Sequence, residues 1–160
     1  MTSVENEIAI SARPEAVWRV LTDFDAYPRW NAFVRFSGTP AVGEELDYRY
    51  RFANRLIRVR WVKAFARVTA FEAPSVFAWT IGSRGLLLVE EEIRLDRHPT
   101  GTRLTHSIRH SGLVVMLAGK KLRRQAYERM CETDAALRSF FAPRGPVSKG
   151  PRRPRKGFRK

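Results

Sequence analysis

The sequence predicts an α+β fold. A curved antiparallel sheet of about six or seven strands, with two short helices after the first strand, wraps around one long C-terminal helix. Three observations predict it. Apolar and charged residues alternate at period two through several short segments between Phe33 and His110, with turn signals between them. A stretch from about Val115 to Phe141 holds no proline and one glycine, Gly119, and repeats at three- and four-residue steps. The chain has 160 residues, 44% hydrophobic and 11% aromatic, which suits one globular domain with its own core.

Val4, Ile8 and Ile10 share one parity against Glu5 and Glu7, a first strand with one buried face. Ser11 is placed to cap a short helix whose first turn tolerates Pro14, where a missing N–H costs nothing. Val17, Trp18 and Leu21 give that helix its apolar spacing, and Trp18 is expected to anchor it to the sheet. Asp23 and Asp25 are cap candidates for a second short helix through Tyr27–Trp30. Phe33–Phe36 is a short strand, followed by turns at Thr39–Pro40 and Gly43. Leu46, Tyr48, Tyr50 and Phe52 alternate with Asp47, Arg49 and Arg51. Ile57, Val59, Trp61 and Phe65 form the next apolar stripe, opposite Arg58 and Arg60. Phe77, Trp79 and Ile81 follow on one parity after the turn at Ala73–Ser75. Gly82–Gly85 reads as a hairpin, Leu87–Leu95 as a strand, His98–Gly101 as a turn and Thr102–His110 as the last strand. In the long helix, Leu117, Lys121, Arg124, Tyr127, Met130, Asp134, Leu137 and Phe141 recur at helical steps.

The single cysteine, Cys131, excludes an internal disulfide. The N-terminus lacks a basic region followed by an apolar one, and apolar runs such as that near Leu86–Val89 are far short of the ~20 residues that span a bilayer. A cytoplasmic protein is expected. The net charge of +14 is unevenly spread: residues 143–160 carry eight cations and no acid, and 14 less 8 leaves +6 for residues 1–142. Proline, glycine, lysine and arginine dominate 143–160, so it is expected to be a disordered basic tail following one domain at 1–142. Residues 144–160 would associate with nucleic acid or an anionic membrane electrostatically, or act only as a solubilising extension.

The segment IAISARPEAVWRVLTDFDAYPRWN resembles the opening of the START/Bet v 1-like (SRPBCC) superfamily, in its polyketide cyclase/dehydrase and lipid transport branch. The matching positions are Ala12, Pro14, Glu15, Val17, Trp18, Asp23, Phe24, Tyr27, Pro28, Trp30 and Asn31. VGEEL (Val42–Leu46) and GTRLTHSIRHSG (Gly101–Gly112) also look like segments of that family, so the resemblance covers roughly residues 4–141. It implies the helix-grip fold, with a cavity between sheet and helix, no cofactor, no metal and no fixed catalytic set. The glycine-rich loop of the plant members is reduced here to Gly82-Ser83-Arg84-Gly85, which puts a phosphate-cradling role for it in doubt.

Parity indicates which side chains would enter that cavity. Leu104 and Ile108 put His106 and His110 on the inward face of the last strand, and Ile93 and Leu95 do the same for Val89 and Glu91. Folding about Pro99–Gly101 pairs Ile93 with His106 and Glu91 with Ile108. Folding about Ser83–Gly85 sets Trp79 beside Val89 and Phe77 beside Glu91. Glu91, His106 and His110 thus become candidate polar contacts, or acid and base groups, on one wall. The plainer alternatives are that Glu91 pairs with Lys121 or Arg124, or that a bulge turns these groups to water. A metal is not expected from this strand spacing. Trp61, Phe65, Trp79, Val89 and Ile108 are candidate lining, and Trp30 and Phe33 belong near the mouth. Three functions follow: a carrier or sensor for a lipid, fatty acyl or aromatic molecule; a cyclase/aromatase-type enzyme; or association through the tail.

Overall fold

Alternating apolar positions in the first ten residues mark a strand, whose apolar face the long C-terminal helix covers and whose edge the last strand pairs. In the computed structural model, which describes residues 1–54 and 57–143 (without the side chains of 52–54 and 57–60), β1 (Thr2–Ile10) pairs along its whole length with β7 (Gly101–Ser111). The side chains of the expected stripe at Phe52, Ile57 and Val59, and the basic tail from residue 144, lie outside what the structure describes. The other strands form a meander: β2 (Val34–Ser37), β3 (Glu45–Asn54), β4 (Ile57–Glu72), β5 (Val76–Ser83) and β6 (Leu87–His98). Together they make one seven-stranded antiparallel sheet in the order β1-β7-β6-β5-β4-β3-β2. It curls into a half-barrel, and α2 (Leu113–Phe140) lies in its concave face, mainly over β1 and β7. This is the helix-grip architecture expected from the sequence.

The short helices close the other end of the concave face. Helix α1 (Pro14–Thr22) opens on Pro14, with Arg13 at the N-cap and no capping side chain, so Ser11 does not serve. A six-residue 3-10 helix follows at Phe24–Arg29, and the Asp23 carboxylate accepts from the Ala26 N–H at 3.2 Å. Trp18 ties α1 to β4 by packing on Phe71, with ring centroids 5.1 Å apart. The 3-10 turn lowers Phe24 and Tyr27 into an aromatic core with Phe36, Tyr48, Phe77 and Trp79.

Registers show where the sequence was legible. The two-residue turn Pro99–Thr100 fixes β6 against β7, and Ile93↔His106 and Glu91↔Ile108 are both observed. The β5–β6 hairpin has a three-residue turn, Arg84–Leu86, with Gly85 at φ +89°. Its register is therefore two residues from the expected one: Trp79 faces Glu91, and Ile81 faces Val89. A two-residue slip keeps every side chain on its face.

Strand β4 requires a correction. Val62, Ala64, Ala66 and Val68 face inward, while Trp61 is 45% exposed and Phe65 67% exposed on the convex side. Lys63 and Arg67 share that outward parity, as a row bearing two cations should. In α2 the buried row is Val115, Ala126, Met130, Asp134 and Leu137, so Leu117, Lys121, Arg124 and Tyr127 lie on the solvent side instead.

Gly101, at φ +137°, sits where the end of β1 crosses the β6–β7 turn. A Cβ there would collide with the Ile10 carbonyl oxygen and approach the Ala12 nitrogen to 2.8 Å. Gly101→Ala is therefore expected to cost about 2 kcal/mol or more. In a thermal melt that is a fall of roughly 4–8 °C.

Candidate functional site

Strands β6 and β7 place Glu91 and His106 on neighbouring inward positions, and the buried stripe of α2 brings Asp134 down onto them. His106 Nε2 lies 3.0 Å from Glu91 Oε1, and His106 Nδ1 lies 2.8 Å from Asp134 Oδ1. Asn6 of β1 donates from Nδ2 to the other Asp134 oxygen at 2.7 Å. All three members of the trio are buried. Burial alone would depress the His106 pKa, but hydrogen bonds to Asp134 and Glu91, and the charges of both, lift it from 6.5 to about 9. His106 is thus an imidazolium at neutral pH, donating from both ring nitrogens. Neither nitrogen is free to bind a metal or take a proton from a ligand. Among the described residues, no group of three or more His, Cys, Asp and Glu side chains is arranged to hold a metal ion. Sequence reasoning placed Asp134 on the helix stripe without a role; an acid among Met130 and Leu137 was the available signal.

Beside the trio a partly open cavity of about 700 Å³ separates α2 from β3–β6. Its apolar lining includes Val62, Ala64, Val89, Leu122 and Ala126. Its polar lining includes Tyr48, Tyr50, His110 and Arg129. The Arg129 guanidinium stacks over the Tyr50 ring, 5.1 Å from its centroid. Burial, and then the charge of Arg129, push the His110 pKa down against the opposing pull of Glu91, so this imidazole is neutral at pH 7. Burial first, then the Glu91 charge, hold the Tyr48 phenol well above its ordinary value, so it remains a donor. The Tyr48 hydroxyl, His110 Nδ1, Glu91 Oε2 and Trp79 Nε1 are buried without a hydrogen-bond partner among the described residues.

The candidate residues separate into groups. Phe33, Val89 and His110 line the cavity. Glu91 and His106 lie behind its wall, joined to each other and to Asp134, and Glu91 bonds neither Lys121 nor Arg124 in the described contacts. Ile108 packs with Val4, Ala126 and Met130. Trp79 belongs to the aromatic core, 4.7 Å from Phe77 and 5.1 Å from Phe36 between ring centroids. Trp30 is buried against Tyr27, with ring centroids 4.7 Å apart, and is not among the residues that line the cavity. Trp61 and Phe65 do not line the cavity, because their parity is outward.

Residues 1–135 match the family described as polyketide cyclase/dehydrase and lipid transport. No curated protein matches the chain. Among solved structures, protein MLL2253 from Mesorhizobium loti is similar at 22% identity and a TM-score of 0.64, over 86% of this chain and 95% of that one. Protein CV1439 from Chromobacterium violaceum is similar at 15% identity and a TM-score of 0.68, over 89% and 99%. The di-domain ARO/CYC protein StfQ of the steffimycin biosynthetic pathway is similar at 11% identity and a TM-score of 0.65, over 87% of this chain and 50% of that one. At these identities the structural likeness is one of fold.

Proposed function

Because the chain belongs to the polyketide cyclase/dehydrase and lipid transport family, we propose that it binds a small, mostly apolar molecule with one polar end in the cavity between α2 and the sheet, as a carrier or sensor. The observation that carries this reading is the cavity itself. Its volume of about 700 Å³ falls within the ~300–1,000 Å³ of small-molecule sites. Its wall is apolar at Val62, Ala64, Val89 and Ala126, with a polar cluster at Tyr48, His110 and Arg129. Buried polar atoms without partners are costly, about 1–3 kcal/mol each. The Tyr48 hydroxyl and His110 Nδ1 are two such atoms on residues that line the cavity, and a ligand carbonyl, hydroxyl or carboxylate would satisfy them once a small movement of the wall exposes them. The chemistry suits a fatty acyl, lipid or aromatic polyketide-like molecule.

An enzymatic, cyclase-type reading draws on one specific observation. His110 is a neutral imidazole at the cavity wall with an unpartnered nitrogen, and the unpartnered oxygen of Glu91 lies behind it. In that reading His110, rather than the doubly bonded His106, takes the proton.

Filling the cavity tests the proposal. Ala64 lines the cavity from β4, directly across from Tyr48 on β3. Ala64→Trp is expected to weaken binding of a fluorescent apolar probe by about tenfold or more, equivalent to about 1.4 kcal/mol, with the fold retained by circular dichroism. Native mass spectrometry of the wild type should show a co-purified small molecule that the variant lacks. Unchanged probe affinity in Ala64→Trp would remove the cavity as the binding site.

A further inference from the structure

Four of the large apolar side chains that the fold leaves in water gather at one tip. Leu113, Met116 and Leu117 in the first turns of α2 are 63%, 82% and 93% exposed, and Leu86 in the β5–β6 turn is 60% exposed. Single exposed leucines are ordinary, but four large apolar groups on two elements joined to one another mark an interaction surface. The joint is made by the backbone. The N–H groups of Leu113 and Val114 donate to the carbonyls of Gly85 and Leu86, at 2.9 and 3.1 Å, and Val115 N–H donates to Gly112 at 3.2 Å. Gly112, at φ +108°, allows the approach, since a Cβ there would stand 2.5 Å from the Leu86 oxygen.

These bonds decide what the tip can enter. A helix start ordinarily exposes N–H donors that want water. Here three of the first donors are already satisfied, two of them by the neighbouring turn, so the tip can leave water without orphaning them. Behind the apolar tip the same solvent face turns basic, with Lys120, Lys121, Arg123 and Arg124 all exposed. Helix α2 carries no acid until Glu128. At 1.5 Å per residue, Leu113 to Leu117 spans about 6 Å, and the cations begin about 10 Å from the tip. Apolar insertion of ~5–10 Å with cations at headgroup level is the geometry of an interfacial lipid anchor.

From this arrangement we infer that the α2 N-terminus and the β5–β6 turn form a docking tip for an anionic lipid surface. Charge complementarity selects this occupant. A second copy of the chain would bring two sets of cations together, and the tip offers no aromatic ring on which a nucleic-acid base could stack. The tip adjoins the cavity, whose lining includes Leu87 and Leu122, sequence neighbours of Leu86 and of the cations. The docking surface stands on its own exposure and charge and does not require the cavity to be occupied.

The test is co-sedimentation of the full-length chain with phosphatidylcholine vesicles, with and without about one-third phosphatidylserine. The wild type should bind the anionic vesicles, and more weakly as salt is raised. Leu117→Asp and Met116→Asp, both at solvent-exposed positions, should each lower partitioning about tenfold or more while the circular dichroism spectrum is unchanged. Lys120→Glu/Lys121→Glu should lower binding to anionic vesicles only. The inference is overturned if the wild type does not bind. It also fails if the Asp variants bind like wild type, since residues 144–160 would then carry the affinity. Loss of self-association or of oligonucleotide binding in Leu117→Asp, with vesicle binding intact, would overturn it as well.

Discussion

Replacing His106 with alanine should lower the stability of the fold by about 3–5 kcal/mol, the cost of removing one partner from a buried ion pair. The effect is large because His106 is the only positive group bonded to both Glu91 and Asp134 in the described contacts. Without it two buried carboxylates face each other across the space the ring filled. A thermal melt should show a fall on the order of 10 °C or more. Adding Glu91→Gln to the variant should recover part of the loss, because one of the stranded charges is then gone. Recovery would separate the electrostatic cost from that of the missing ring.

The same group sets a pH dependence of known sign. Its folded pKa of about 9 lies above the ordinary 6.5, so the folded state holds the proton more tightly than the unfolded chain. This stabilisation is complete below about pH 6.5 and is lost as the pH rises through about 9. The melting temperature of the wild type should therefore fall between about pH 7 and pH 10 by more than that of His106→Ala. Parallel curves for the two proteins would show that the imidazolium contributes nothing.

The second large effect is expected in the aromatic core. Phe77 is fully buried and meets Phe24, Phe36, Phe71 and Trp79, with ring centroids 6.1, 5.9, 5.7 and 4.7 Å away. From β5 its ring meets side chains of the 3-10 helix, β2 and β4. Phe77→Ala should cost about 3–5 kcal/mol, combining lost transfer energy with the cavity left behind. Chemical denaturation should show a lower midpoint with an unchanged slope. A loss under 1 kcal/mol would mean that the neighbouring rings collapse into the space.

The sequence reading succeeded where local chemistry left one choice. Pro99–Thr100 permits only a tight reversal, so the β6–β7 register, and with it the closeness of Glu91, His106 and His110, was legible from the turn. It failed where bulk and burial diverge. Trp61 and Phe65 drew the β4 stripe to the wrong face, although Lys63 and Arg67 on the same parity pointed outward. A small residue at Ala64 is what a wall facing a cavity needs, and smallness is a weak signal in a pattern of hydrophobicity. In α2 the three- and four-residue steps fit two faces in the first turns, and only the sheet beneath Val115 and Ala126 decides between them. Asp134 was visible as an acid in an apolar row. Its partner could not be named, because it lies 28 residues away on another element.

Among the described residues the half-barrel does not close, so β1 and β2 each leave one side of their backbone without a neighbouring strand. Such edges invite strands from other molecules and are the usual starting points of aggregation. The edge at β2 is only four residues long, too short to template a stable ladder. The edge at β1 is nine residues long, and Glu5 and Glu7 stand exposed on it. Two copies of β1 meeting side by side would set these carboxylates against one another, and like charges in register repel. The alternation that buries Val4 and Ile10 therefore also discourages fibril growth from the edge at β1.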